Sequence, residues 1–465
     1  MTVTDPCDDT HSIFILPVLN LFLLYAPLHT FAALVAPAAT DQIRRALLFG
    51  QDVGAGSVRN IVEHLRGATA PVPQPRQGEF VPAFLGLIPT RGCNLACTYC
   101  AFLTSQGAGQ VMDLRLARTA IEWYLERVGR SGFQMAEIHF FGGEPFCAGE
   151  VVDFACHFAR LKAAETGCTV RFEVATNGAF DEDRCRWAAD SLDSIILSLD
   201  GPDDIQDRHR PRRDGQGSFQ TVARNARILS EGPAELAIRA CVTAETVGRL
   251  PDIAAWFCQE FRPVSVCFEP VQPSAPSEAA GLAPPDPWEF ARYFIQAARV
   301  LEAHGVAPVY AAADITARRV SFCPVGQDVP IISPDGDVAA CYLLRQEWAA
   351  RGFDLRLGRI KDDTLFLDDG AIARVRSLNV HHKPLCARCF CRWHCAGGCH
   401  VNHLLSDRPG DYDRLCLQTR IIALRNLLKV LDRDDLARDL LNDRPALERA
   451  VWQPSDALAD WSRLR

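Results

Sequence analysis

Three cysteines in the stretch Arg91-Gly92-Cys93-Asn94-Leu95-Ala96-Cys97-Thr98-Tyr99-Cys100 constrain this chain more than any other feature. Three residues separate Cys93 from Cys97 and two separate Cys97 from Cys100, so one short loop carries three thiolates and no fourth. A four-iron cubane needs four outer ligands, and a triplet of this kind leaves one iron open to a ligand from outside the chain. Structural zinc favours four protein ligands and paired CxxC knuckles, which fits the triplet less well.

At 465 residues the chain suggests two or three domains. Its 48% apolar and 23% charged residues are those of an ordinary globular protein. The net charge of -8 argues against bulk affinity for nucleic acid or anionic lipid, and the basic run 208–213 reads as a solvated loop. Nineteen cysteines in a chain large enough to need no disulfide staples imply metal ligands and a reducing cytoplasm. Residues 10–40 hold no Asp, Glu, Lys or Arg and are long enough to span a bilayer. Pro17, Pro27 and Pro37 interrupt them, however, and Asp5, Asp8 and Asp9 precede them where an export signal would be basic. Strands at 12–18 and 21–25, turning at Ala26-Pro27, account for the stretch better.

The expected architecture is α/β. Residues 1–75 read as a small α+β module, with helices at 41–49 and 57–66 and a stiff linker Ala70-Pro71-Val72-Pro73-Gln74-Pro75. From residue 83 to 310, strands at 83–90, 137–141, 169–175, 194–199, 236–242 and 264–269 alternate with helical patterns, the first at 113–129. Six such units predict a parallel sheet curved into a partial (β/α)6 TIM-like barrel, with ligands at the carboxyl ends of its strands. Residues 318–420 form a cysteine-rich extension. The tail, 421–465, is helical, with Leu424, Leu427, Leu428 and Leu431 at helical spacing.

The strand ends carry polar motifs. Gly142-Gly143-Glu144-Pro145 follows the second strand, its glycines permitting close backbone approach to a ligand and its carboxylate able to accept from an ammonium group. Asn177 follows the third strand, and Ser198-Leu199-Asp200-Gly201 ends the fourth. Arg239 alternates with Ile238 and Ala240 on the fifth, which turns it toward the barrel interior as a ligand contact or a structural ion pair. Arg210 is a weaker candidate. In the extension, Cys323 is followed by Gly336 and Cys341, then by Cys386-x2-Cys389-x5-Cys395-x3-Cys399, and last by Cys416. An Asp335-Gly336 hairpin is expected to bring Cys323 and Cys341 together. The later tetrad suits a zinc ribbon or an iron-sulfur cluster. Cys7, Cys147, Cys156, Cys168, Cys185, Cys241, Cys258 and Cys267 read as small buried apolar residues. His381, His382, His394, His400 and His403 crowd the same extension without an assigned role.

With these motifs in this order, residues 83 to about 420 resemble the radical SAM superfamily and its SPASM subfamily of peptide- and protein-maturing enzymes. The resemblance implies a 4Fe-4S cluster on Cys93, Cys97 and Cys100 that binds S-adenosyl-L-methionine. Tyr99, Gly142, Gly143, Glu144, Asn177, Ser198, Asp200 and Arg239 would then contact the cofactor, Glu144 through its amino group. It further implies two auxiliary 4Fe-4S clusters, one on Cys323, Cys341 and Cys399, the other on Cys386, Cys389, Cys395 and Cys416. The first of these lacks a fourth thiolate unless Cys391 or a non-cysteine group supplies it. The N-terminal module loosely resembles the winged-helix peptide-recognition domains that precede many such enzymes, a packing extension being the alternative. The implied activity is cleavage of S-adenosylmethionine to a 5'-deoxyadenosyl radical and oxidation of a peptide or protein, giving a thioether, a carbon-carbon crosslink or an oxidised side chain. Expected partners are that substrate and a reductant such as flavodoxin or ferredoxin, with neither nucleic acid nor membrane. Oxidation of a small molecule, or a non-catalytic zinc or iron-sulfur scaffold, are the rivals.

Overall fold

The computed structural model describes residues 12–100, 109–403, 412–452 and 457–458, grouped into two compact units. One unit joins the first 75 residues to 311–322 and to the chain from 379 onward; the other comprises 76–310 and 323–378. Cys7, Asp5, Asp8 and Asp9 lie outside the described residues.

In the first unit the charge-free stretch folds as an antiparallel meander of β1 (Phe14–Val18), β2 (Leu21–Ala26) and β3 (Phe31–Val35). Leu19, at φ 54, supplies the left-handed residue of the two-residue turn between β1 and β2. The sequence reading missed β3. A 3-10 turn, Pro27–His29, ends with Thr30 at φ 53 and resets the chain direction before it. Ile15, Leu24 and Val35 pack against Ile43 and Ala46 of helix Pro37–Phe49 and Val62 and Leu65 of helix Ser57–Arg66. The apolar residues that could have suggested a membrane segment therefore form a small core, and among the described residues no helix is long and apolar enough to cross a membrane. Later in the chain this unit adds helices Arg414–Val430, Asp434–Asn442 and Arg444–Val451.

The second unit is built on one eleven-stranded sheet. Its strands are β4 (Leu85–Leu87), β5 (Met135–Phe140), β6 (Thr169–Thr176), β7 (Ser194–Ser198), β8 (Glu235–Val242), β9 (Ser265–Pro270), β10 (Ala307–Val309), β11 (Ile331–Ile332), β12 (Asp337–Ala339), β13 (Arg356–Lys361) and β14 (Thr364–Leu367). From β10 back to β4 neighbours pair in parallel, and β11 joins the far side of β4, also in parallel. An antiparallel run β11-β12-β13-β14 completes the sheet. The order is linear, so the barrel is open.

Helices between the parallel strands begin where the sequence places caps. Asp113 accepts from Arg115 N, Asp181 from Arg184 N, and Asp286 from Trp288 N and Glu289 N, each satisfying first-turn donors that have no helical acceptor. Along the strands every second residue is buried under those helices: Ile138 and Phe140, Phe172 and Val174, Ile195 and Leu197, Ile238 and Ala240, Val266 and Phe268. The alternate residues face the other side of the sheet.

Two features depart from the sequence reading. The sheet extends beyond six strands, because β10, β13 and β14 are short or carry proline and charge and leave little apolar signal. The extension 318–420 contributes to both units, with 323–378 continuing the large sheet.

Candidate active site

The cysteine loop leaves the carboxyl end of β4, with β5 on one side and β11 on the other. Two straps hold it. From β5, Gly143 N donates to Thr90 O at 3.1 Å and Glu144 N to Gly92 O at 2.8 Å. A Cβ on Gly143 would lie 2.1 Å from Gly92 O, and one on Gly142, at φ 142, would lie 2.6 Å from Thr90 O. The close approach that these glycines permit is thus to the backbone of the cysteine loop itself, where the sequence suggested a ligand. From the other side, Ala96 N donates to Pro211 O at 2.8 Å, Thr98 N to His209 O at 2.9 Å, and the Arg213 guanidinium to Cys93 O at 2.6 Å.

That second strap corrects the reading of 208–213 as a solvated loop. His209 is fully buried and Arg210 nearly so, at the end of a helix, Asp203–His209, that the sequence reading did not include. Asp200 organises them. Its Oδ1 accepts from Arg210 Nε at 3.0 Å and from Cys241 N at 2.9 Å; its Oδ2 accepts from the Tyr99 hydroxyl at 2.7 Å and lies 3.2 Å from His209 Nδ1. Burial alone would raise the Asp200 pKa, but Arg210, His209 and the Cys241 amide hold it at about 2. Both carboxylate oxygens are engaged within the protein. Asp200 and Tyr99, expected at the cofactor, are engaged with each other.

Glu144 is 1% exposed. Its carboxylate accepts from Thr176 Oγ1 at 2.8 Å, Asn177 N at 2.7 Å and Phe146 N at 3.2 Å, yet burial outweighs these bonds and raises its pKa to about 7. Asn177 also reaches the loop: its Nδ2 lies 2.9 Å from Asn94 Oδ1 and 3.5 Å from Cys93 Sγ. Burial pushes the Cys97 thiol up to about 12, against the pull of Arg210, and raises that of Cys93. Three soft donors on one loop, with Cys100 raising Cys93 and both Cys93 and Cys100 raising Cys97, match an iron-sulfur cluster that would bind them as thiolates and displace their protons.

Ser198, Arg239 and Cys267 stand side by side across β7, β8 and β9 on the face away from the helices. Further along that face, His139 stacks on Phe84 at 4.1 Å and lies 3.4 Å from Glu137 and 3.5 Å from Glu173. The Tyr342 ring packs 4.8 Å from Phe141, and its buried hydroxyl finds no hydrogen-bond partner among the described residues. The sequence reading missed this group. Period-two alternation puts Glu137, His139 and Glu173 on one face, but only the tertiary structure brings Phe84 and Tyr342 to them.

In the other unit, Cys386, Cys389, Cys395 and Cys416 line one small cavity together with Cys391, His403, Tyr412 and Arg420. Arg420 Nη1 donates to Cys389 Sγ at 2.9 Å. Burial opposes ionisation of Cys389, but the Cys391 thiol and the Arg420 charge bring its pKa below the ordinary value. Five thiols converging beside a buried guanidinium, four of them in the expected ligand pattern, fit an anionic iron-sulfur cluster. His403, Asp413 and Cys416 also bring donor atoms within 4.8 Å of one another, a grouping that suits a single metal ion. Cys323 and Cys341 belong to the sheet unit and Cys399 to the other. His394 and His381 accept structural tasks: His394 bonds the Tyr25 hydroxyl and Ala317 O, and His381 bonds Pro73 O. Of the remaining cysteines, Cys156, Cys168 and Cys185 are buried, Cys241, Cys258 and Cys267 half-buried, and Cys147 is exposed.

Residues 87–242 match the Radical SAM superfamily. A cysteine-type anaerobic sulfatase-maturating enzyme of Clostridium novyi (strain NT) is 27% identical over 201 residues, covering 42% of this chain and 53% of that enzyme. The chain thus spans about half the length of that relative. Mycofactocin maturase MftC of Mycobacterium ulcerans (strain Agy99) is 26% identical over 347 residues, covering 71% of this chain and 86% of that protein. A solved structure of native anSMEcpe with bound AdoMet and Cp18Cys peptide shares the fold, with TM-score 0.58 and 20% identity over 75% of this chain and 98% of that one.

Proposed function

Because this chain carries a radical SAM domain homologous to anaerobic sulfatase-maturating and mycofactocin-maturating enzymes, we propose that it oxidatively modifies a peptide or protein substrate. The observation that carries the proposal is the double strapping of the Cys93, Cys97 and Cys100 loop at the mouth of the sheet, with Glu144 and Asn177 beside it. When bound there, a 4Fe-4S cluster and S-adenosylmethionine supply a 5'-deoxyadenosyl radical able to take hydrogen from an unactivated C–H bond.

The chain's own residues have separable tasks in this proposal. Cys93, Cys97 and Cys100 hold the cluster; Gly142 and Gly143 admit the loop between its straps. Glu144 takes the amino group of the cofactor, an ammonium that would ionise its carboxyl. Asn177 steadies the loop at Cys93 and Asn94. Ser198 and Arg239 face the open side of the sheet, where the cofactor and substrate would meet, whereas Asp200 positions Tyr99 and Arg210. A flavodoxin- or ferredoxin-like reductant would deliver the electron, and Cys386, Cys389, Cys395 and Cys416 would hold an auxiliary cluster.

Anaerobic, iron-reconstituted protein incubated with S-adenosylmethionine and dithionite should release 5'-deoxyadenosine, and Cys93→Ala should release none. A cluster-replete sample without this product would end the proposal. A second reading, a zinc ion at His403, Asp413 and Cys416, is favoured by the mutual approach of their donors. Metal analysis separates the two: three clusters give about twelve irons per chain and two give about eight, with little zinc.

A further inference from the structure

The helix Arg414–Val430 carries Cys416 and Arg420, four residues apart and hence on one face, into the same cavity. Arg420 is 1% exposed, an arrangement that costs several kcal/mol for a lone guanidinium. Two aromatic rings pack on it, with the guanidinium carbon 4.7 Å from the Phe390 ring centre and 4.2 Å from that of Tyr412. Nε donates to Val451 O at 2.6 Å, and Nη1 donates to Cys389 Sγ at 2.9 Å. An arginine anchored this firmly, with one N–H aimed at a sulfur, is preorganised toward whatever the sulfur binds.

Hydrogen bonds to ligand sulfurs and nearby positive charge stabilise the reduced, more negative form of an iron-sulfur cluster. We infer that Arg420 is the positioning residue that raises the reduction potential of a cluster held by Cys386, Cys389, Cys395 and Cys416, through its charge and its N–H···S bond to Cys389. Zinc, which has no redox chemistry, would draw no such benefit from the bond. Lys383, whose Nζ donates to Gly397 O at 2.7 Å, brings positive charge toward Cys386 and Cys395, and Arg392 brings it toward Cys386, so Arg420 is the cation placed on Cys389.

This inference rests on the reading of the cavity as an iron-sulfur site, and the experiment separates the two. Full-length protein is reconstituted anaerobically as wild type, Arg420→Gln, Arg420→Lys and the double variant Cys386→Ser/Cys389→Ser, then followed by iron content and potentiometric EPR. If the double variant keeps all its iron and every EPR signal, the cavity holds no cluster and the underlying reading fails. If it loses one signal, that signal reports the site. Arg420→Gln should then shift that signal to more negative potential by at least tenfold in its one-electron equilibrium, about 59 mV. Arg420→Lys, which keeps the charge, should shift it less. Where Arg420→Gln loses the signal and Arg420→Lys keeps it, the potential of Arg420→Lys decides: a shift to more negative potential supports the inference, and an unmoved one overturns it. An unmoved potential in both variants, or loss of the signal from both, overturns it.

Discussion

Asp200 accepts the hydroxyl of Tyr99 at 2.7 Å, so a carboxylate at the end of β7 holds the residue that stands between Cys97 and Cys100. The same carboxylate faces Arg210 and His209, whose backbone neighbours bond the cysteine loop. One buried anion therefore ties three segments together. Asp200→Ala would leave Arg210 buried without its counter-charge and should destabilise the protein by about 3–5 kcal/mol. Tyr99→Phe should cost about 1–3 kcal/mol. Denaturant unfolding measures both, and iron retention after reconstitution should fall in the same order. Equal iron retention in all three proteins would mean that the loop is held without Asp200.

Gly143→Ala and Gly248→Ala make a matched pair. The first places a methyl 2.1 Å from a backbone oxygen of the cysteine loop, which cannot yield without moving Gly92; the second meets nothing closer than the Tyr293 ring at 3.9 Å. We expect Gly143→Ala to lose about 1–3 kcal/mol or more and most of the loop's iron, and Gly248→Ala to stay within about 1 kcal/mol of the parent. Iron content and thermal unfolding of the two variants decide the matter.

Glu144 gives a pH dependence of known sign. Its pKa rises from the ordinary carboxyl value to about 7 on folding because burial disfavours the anion. The stability it contributes is therefore complete below its unfolded pKa and is lost as pH rises through about 7, by an amount on the order of 3 kcal/mol. An ammonium bound against it needs the anion. S-adenosylmethionine affinity should accordingly rise with pH, close to tenfold per unit below 7, and fall again above about 8 as the ammonium loses its own proton. Glu144→Gln should bind the cofactor weakly and without that slope. Calorimetric titration from pH 5.5 to 8.5 reads both, and a flat wild-type profile would rule out Glu144 as the amine acceptor.

Arg376 pairs with Asp328 through two bonds, Nε to Oδ1 at 2.8 Å and Nη2 to Oδ2 at 2.6 Å, with the Asp328 side chain 2% exposed. Bidentate geometry of this kind is the stronger sort of ion pair. Arg376→Ala should destabilise the sheet unit by about 3–5 kcal/mol, since it strands a buried carboxylate. Arg376→Ala/Asp328→Asn should recover part of that loss. A single variant as stable as the parent in urea would contradict the claim.

The alternating strands and helices from 83 to 310 were legible because period-two and period-3.6 apolar spacing is local, and because Asp113, Asp181 and Asp286 cap helices using nothing beyond their own first turn. The cysteine triplet and the Gly142-Gly143-Glu144 segment were legible for the same reason. Arg208 to Arg213 misled because charge alone predicts solvent, whereas a carboxylate beyond the reach of any local pattern, Asp200, neutralises Arg210 inside the protein.

Residue order along the chain was enough to put three thiols on one short loop and polar motifs at strand ends, because residue type and short-range periodicity need no knowledge of distant neighbours. Which groups are already occupied by the protein was settled only by folding. Asp200 turned out to serve Tyr99, Gly143 to admit Gly92, and Arg420 to reach Cys389, since each of these contacts joins residues that are close in space and far apart or unpatterned in sequence.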